Sequence, residues 1–208
     1  MENDSKKQWI ARAVAMVMAC VALPAWAHHP TGGETPASAM QGLLSGLGHP
    51  VIEFDHLAFL IALGLLTSLV DNGRLRLVVP FVVFSLLGTY AHTQGVTLAL
   101  PEMWIGLSLI VVAGLLLRPL RVGTGVAVVF CVLAALVHGY AFGEAVVGAR
   151  TSAIVSYLVG LGLIQSAMLW LVGTGIRHVG SSVRPVLIKA SAGVSALLGI
   201  LALTAGAL

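Results

Sequence analysis

Six apolar runs, 54–70, 75–90, 102–117, 122–141, 152–173 and 186–208, follow one another with only short polar turns between them. A membrane helix needs about 20 mainly apolar residues, and shorter runs cross at low tilt. Inside lipid the backbone must satisfy its own hydrogen bonds, so runs of this length are read as helices. The sequence therefore predicts an all-α, polytopic membrane protein with six transmembrane helices after a cleavable signal peptide. Composition agrees, with 58% hydrophobic and 9% charged residues and a mean hydropathy of +1.00. Twenty-four glycines suit it too, because small residues let membrane helices approach closely. A net charge of +3 with no basic cluster excludes a nucleic-acid partner.

Residues 1–27 read as an export signal. Lys6, Lys7 and Arg12 precede an apolar stretch, 13–23, and Pro24-Ala25-Trp26-Ala27 supplies an A-x-A cleavage site. Three parts follow: a signal peptide over 1–27, a periplasmic N-terminal segment with a helix break over 28–53, and a six-helix membrane domain over 54–208. Cys20 leaves with the signal, and Val17-Met18-Ala19-Cys20 is a poor lipidation motif. Cys131 then stands alone in an apolar run, so no disulfide framework exists and a buried small side chain is expected. A shorter apolar piece, 37–47, is separated from the first span by Gly48-His49-Pro50. Proline disfavours helix at the residue before it, which predicts a break or re-entrant entry there.

Charge gives the orientation. Arg74, Arg76, Arg118, Arg121, Arg177, Arg184 and Lys189 fall on one set of turns, whereas Arg150 alone falls on the other. The positive-inside rule makes the first set cytoplasmic. The expected location is the bacterial inner membrane, with the mature N-terminus and the C-terminus periplasmic. Partners implied are membrane lipid, a divalent metal ion and a second copy of the chain.

Sorted by depth, the polar residues collect on the outer side. His28, His29 and Glu34 precede the membrane, and His49, Glu53, Asp55 and His56 mark the entry to the first span. His92 closes the second span, Glu102 opens the third, and His138 with Glu144 ends the fourth. Only His178 and Asp71 stand on the other side, so six of seven histidines share the outer face. Ionisable groups in a membrane segment cost about 2.5–3.5 kcal/mol at mid-helix and mark a pathway or a site. Imidazoles with carboxylates suit nickel, cobalt, copper or zinc, and the scarcity of cysteine argues against a thiolate site. For any one histidine the plain alternative is an interfacial ring bonded to loop carbonyls.

The stretch 48–56 packs two histidines and two acids around the predicted break, a construction that secondary transporters use for ion sites. On an unbroken helix His49 and His56 would lie about 10 Å apart along the axis. A break at Pro50 would fold them together. Asp55 serves either as a ligand or as the acceptor that orients a liganding imidazole, and Glu53 either as a ligand or as a water-facing rim residue. If cleavage follows Ala27, the free amine, the His29 amide and the imidazoles of His28 and His29 form a chelate for nickel or copper; the alternative is a flexible polar tail.

These residues resemble the HupE/UreJ family of membrane proteins. The resemblance rests on His49-Pro50 with Asp55-His56, matching an HPxxGxDH pattern, on His138-Gly139-Tyr140-Ala141 with Gly143, and on Tyr157-Leu158-Val159-Gly160. It extends over nearly the whole chain. It implies a secondary nickel or cobalt permease with His49, Asp55 and His56 as metal-site residues, His138 and Glu144 carrying over less directly. Three departures bear on the metal: Glu53 stands at the family's usual glycine, Phe142 replaces a common second histidine, and Leu169-Trp170 stands where many members carry histidine.

The expected mechanism is capture by His28, His29 and His49, transfer to Asp55 and His56, and release between glycine-rich helices, with His92, His138 and Glu144 along the pathway. Gln165 and Ser166 are expected to bond between helices. No cofactor is expected to be permanently bound; nickel or cobalt is the expected cargo, with copper and zinc open. No P-loop, H-E-x-x-H pattern or Ser/His/Asp grouping suggests an enzyme. Two other readings remain: an accessory or sensor subunit that binds metal without transport, and a haem protein with His92 and His138 as axial ligands.

Overall fold

The computed structural model describes residues 35–118 and 123–205. Expectations for the signal peptide, His28, His29, Glu34 and Arg121 fall outside the described residues. Seven α-helices are seen among the described residues: α1 Ala39–Ile52, α2 Phe54–Thr67, α3 Gly73–Thr93, α4 Pro101–Leu117, α5 Thr124–Gly143, α6 Thr151–His178 and α7 Arg184–Ala205. A 3-10 turn, Glu144–Val146, follows α5, and no strand occurs among the described residues. The all-α expectation therefore holds.

Four helices, α3, α5, α6 and α7, are long and apolar enough to cross a membrane. The pair α1 and α2 passes the same test only as one broken element, bent by 78°, which makes up to five. Helix α4 is apolar but shorter, at 17 residues. The predicted first span is thus divided differently from its expectation. At 14 residues α2 is too short to cross alone, a length typical of a buried core helix or re-entrant segment.

The break also moves. Helix α1 absorbs the apolar piece expected to stand apart and continues through Pro50 to Ile52; the chain turns at Glu53, which is extended at φ −86° and ψ 116°. Packing overrides the proline. A Cβ on Gly42 or Gly46 would collide with the carbonyl oxygens of Ala153 and Tyr157, so only glycine lets the α1 backbone lie directly on α6. That contact holds α1 helical up to its last turn, where proline deprives only the Gly46 carbonyl of its usual partner.

The same device joins the other helices. Gly139 on α5 lies against the Ser85 backbone on α3, and Gly106 on α4 faces Gly199 on α7. Three close pairs, α1 with α6, α3 with α5 and α4 with α7, are assembled around α2. Nine of the fourteen residues of α2 are buried, including Phe59, Leu60, Leu63 and Leu66. Gln165 Nε2 on α6 donates to Ser85 Oγ on α3 at 2.9 Å, the expected helix-to-helix bond, and Cys131 is buried and free.

Basic side chains gather at one end. Arg177 reaches the Thr67 carbonyl at the C-terminus of α2, Arg184 donates to the carbonyls of Ile176 and Arg177, and Arg74 lies by Thr174 and over the Trp170 ring. Guanidinium groups there satisfy terminal carbonyls and complement the helix dipoles. The N-terminus of α2 points away from this basic end.

Candidate metal site

Glu53 is both the end of α1 and the cap of α2, with its N–H on the His49 carbonyl at 3.4 Å and its carbonyl accepting from Leu57 N–H at 2.9 Å. The 78° bend there brings together side chains that a straight helix would separate. The rings of His49 and His56 come to 6.2 Å between centroids. The Glu53 carboxylate spans them, with Oε1 3.3 Å from His49 Nε2 and Oε2 3.4 Å from His56 Nδ1.

Asp55 Oδ1 lies 2.7 Å from His56 Nδ1 and accepts the His56 backbone N–H at the same distance. A carboxylate only accepts, so with neutral imidazole Nδ1 carries the proton and Nε2 keeps its lone pair. Nε2 is buried, with no hydrogen-bond partner among the described residues. Metal-binding histidines have this construction: one nitrogen anchored on a carboxylate, the other presented. Donor atoms of Glu53, Asp55 and His56 also lie within 4.8 Å of one another, but both carboxylates meet His56 on its Nδ1 side, so the three share an ion only if Nδ1 gives up its proton.

His138, from α5, adds a third imidazole, its ring 5.0 Å from that of His56 and stacked at 4.0 Å on Phe59. Its Nε2 is 2.8 Å from Ser108 Oγ on α4, and that hydroxyl also donates to the Ile105 carbonyl at 2.7 Å. Phe142 closes the group, 4.4 Å from the His56 ring and 5.5 Å from that of His49, while Tyr157 OH on α6 donates to the Phe142 carbonyl at 2.7 Å. Five of the seven helices thus contribute.

Depth follows from the helix ends. Ser108, His138 and Tyr157 lie five to seven residues from the ends of α4, α5 and α6 that face away from the basic side, or about 8–11 Å in. Glu53 and Asp55 are 35% and 34% exposed, whereas His56 is 2% exposed, so carboxylates form the rim and imidazoles the floor.

The other expected residues stand apart. His92 Nδ1 bonds the Tyr140 carbonyl at 2.6 Å and its ring stacks on Tyr140 at 3.9 Å. Glu144 is exposed in the 3-10 turn. His92 and His138 are thus held by different partners, Tyr140 and Ser108. Ser108 was not foreseen, although it is the only hydroxyl in α4 and so a visible signal.

Such a molecule belongs to the class of multi-pass helical membrane proteins, with a polar cluster set at a helix break. Comparison with known proteins gives the particular group. The sequence model of the family described as HupE / UreJ protein matches residues 15–202, and the chain belongs to that family. Protein HupE of Rhizobium leguminosarum bv. viciae is similar, 26% identical over 162 residues that cover 72% of this chain and 82% of that protein. No solved structure matches.

Proposed function

We propose that this protein is a secondary permease that moves a divalent transition-metal ion, nickel or cobalt first among them, across the bacterial inner membrane. The observation that carries the reading is the buried, unpartnered Nε2 of His56, held in its tautomer by Asp55 beside Glu53 and His138. A neutral imidazole with an open Nε2, a second imidazole beside it, carboxylates on its Nδ1 side and no thiolate near is a donor set for borderline divalent cations. Family membership supports a metal-related role.

In this reading α1 and α2 form one broken crossing and α3 to α7 five more, which restores six crossings. The basic end is cytoplasmic by the positive-inside rule, and the metal site opens to the periplasm. His28 and His29, freed by cleavage after Ala27, capture the ion. Glu53 and His49 receive it at the rim, and it passes to His56, which Asp55 orients. As the ion enters, the Glu53 carboxylate exchanges its contacts with the two imidazoles for the metal. Donors from two half-helices then close on one cation, as broken membrane helices do elsewhere.

The experiment is uptake of labelled nickel and cobalt by cells producing the wild type, His49→Ala, His56→Ala or Asp55→Ala. Loss of uptake in the His56 and Asp55 variants, at unchanged protein level in the membrane, is the expected result. Uptake of both ions by all three variants at the wild-type rate would remove the proposal's support. Binding without accumulation in proteoliposomes of the wild type would favour an accessory or sensor subunit.

A further inference from the structure

At the midpoint of α6, Gln165 is wholly buried. Its Nε2 is spent on Ser85 Oγ, 2.9 Å away on α3, but its Oε1 has no hydrogen-bond partner among the described residues. Leaving a carbonyl oxygen unsatisfied in a protein interior is costly. The middle of a bilayer offers no solvent to relieve it.

Position gives that oxygen a use. Gln165 follows Tyr157 and Leu161 on the same buried face of α6, eight residues beyond Tyr157 toward the basic end, which is about 12 Å further into the bundle. Ser85 lies at a similar middle position in α3, and one turn further out the Thr89 hydroxyl sits 2.8 Å from the Gly139 carbonyl and 3.0 Å from that of Ser85. An ion leaving His56 for the basic end must cross this level. Between the two levels α2 presents Phe59, stacked on His138; beyond Ser85, toward the basic end, come Phe81 on α3 and Cys131 on α5, whose Sγ meets the Leu77 carbonyl, and all three are buried and apolar.

We infer that Gln165, with Ser85, is a second, inner cation station, distinct from the histidine site and nearer the basic end. The amide oxygen takes the divalent ion directly or through one of its waters, and the Ser85 hydroxyl holds the amide in place. The ligand chemistry is that of a hard oxygen donor, weaker for these ions than imidazole. Such a site suits a transit point, because conduction needs binding loose enough to release the ion.

This inference rests on the permease reading, and its test separates the two. Gln165→Met and Gln165→Leu keep the volume and remove the oxygen, whereas Gln165→Glu keeps an oxygen at the same place. Each variant is purified for nickel binding by calorimetry and reconstituted into proteoliposomes for nickel accumulation. The expected pattern is binding at the histidine site within about twofold of wild type for all three, accumulation reduced at least tenfold in the Met and Leu variants, and accumulation retained in Gln165→Glu. A role in packing would follow volume instead, leaving the Met variant active. Accumulation by Gln165→Met at the wild-type rate overturns the station while the permease reading stands. Absence of accumulation by the wild type sinks both.

Discussion

His138 Nε2 faces Ser108 Oγ across 2.8 Å, and that hydroxyl has already given its single proton to the Ile105 carbonyl, 2.7 Å away. With its proton on that carbonyl Ser108 accepts, which puts the hydrogen of a neutral His138 on Nε2 and the lone pair on Nδ1. His56 is fixed in the opposite sense by Asp55, with the proton on Nδ1 and the lone pair on Nε2. In their neutral forms two neighbouring imidazoles from different helices are thus held in complementary tautomers.

Removing one anchor should weaken the metal site without unfolding the protein. Ser108→Ala is expected to lower nickel and cobalt affinity by about tenfold or more, the usual cost of losing a group that orients a liganding histidine. Ser108→Thr, which keeps the hydroxyl, should stay near wild type. Calorimetric titration in detergent measures both, and equal affinities across the three proteins would mean that His138 does not touch the ion.

Asp55 separates charge from geometry. Asp55→Asn keeps an oxygen that can accept the His56 Nδ1 proton but removes the negative charge, whereas Asp55→Ala removes both. If Asp55 only orients the ring, the Asn variant should bind nickel within a few-fold of wild type and the Ala variant about 10–100-fold more weakly. If the carboxylate is itself a ligand, both should fail alike. The comparison of the two affinities decides between the roles.

Much of this was legible in the sequence, and the reasons for the rest are specific. Helices α3 to α7 follow from runs of apolar residues, since membrane length and hydropathy leave little choice of structure. The residues 49–56 stood out because two imidazoles and two carboxylates do not gather at a membrane edge without cause. The position of the bend did not follow. Proline at 50 pointed to a break at His49, but the glycine contacts of α1 with α6 are tertiary, and they carry the helix on to Ile52. Ser108 and Phe142 also enter the site only through packing, from helices remote in sequence. Propensity is local; the partner that overrides it is more than a hundred residues away.

Orientation can be read with single thiols. With Cys20 replaced by serine, Cys131 is the one native thiol left, and it is buried, so it gives little background with an impermeant maleimide. Val147→Cys, in the turn after α5, should label in intact spheroplasts, whereas Ser181→Cys, between α6 and α7, should label only after the membrane is opened. The reverse pattern would place the metal site on the cytoplasmic side and turn uptake into efflux.

The glycine contact under His49 gives the last prediction, because it ties the site to the packing of α1. A Cβ at position 46 would run into the Tyr157 carbonyl on α6, which is backbone and cannot swing aside. Gly46→Ala should therefore push α1 outward and cost about 1–3 kcal/mol, as overpacking of a tight contact does. Gly114→Ala is the control: it lies within α4, and a Cβ there meets nothing within 4 Å. Replacing glycine by alanine in an open helix position should instead stabilise by about 0.5–1 kcal/mol. Thermal unfolding in detergent should move in opposite directions for the two variants. Because α1 carries His49 and ends at Glu53, nickel affinity should fall only in Gly46→Ala. A Gly46→Ala protein as stable and as tightly metal-binding as wild type would show that α1 does not depend on this contact to hold the site.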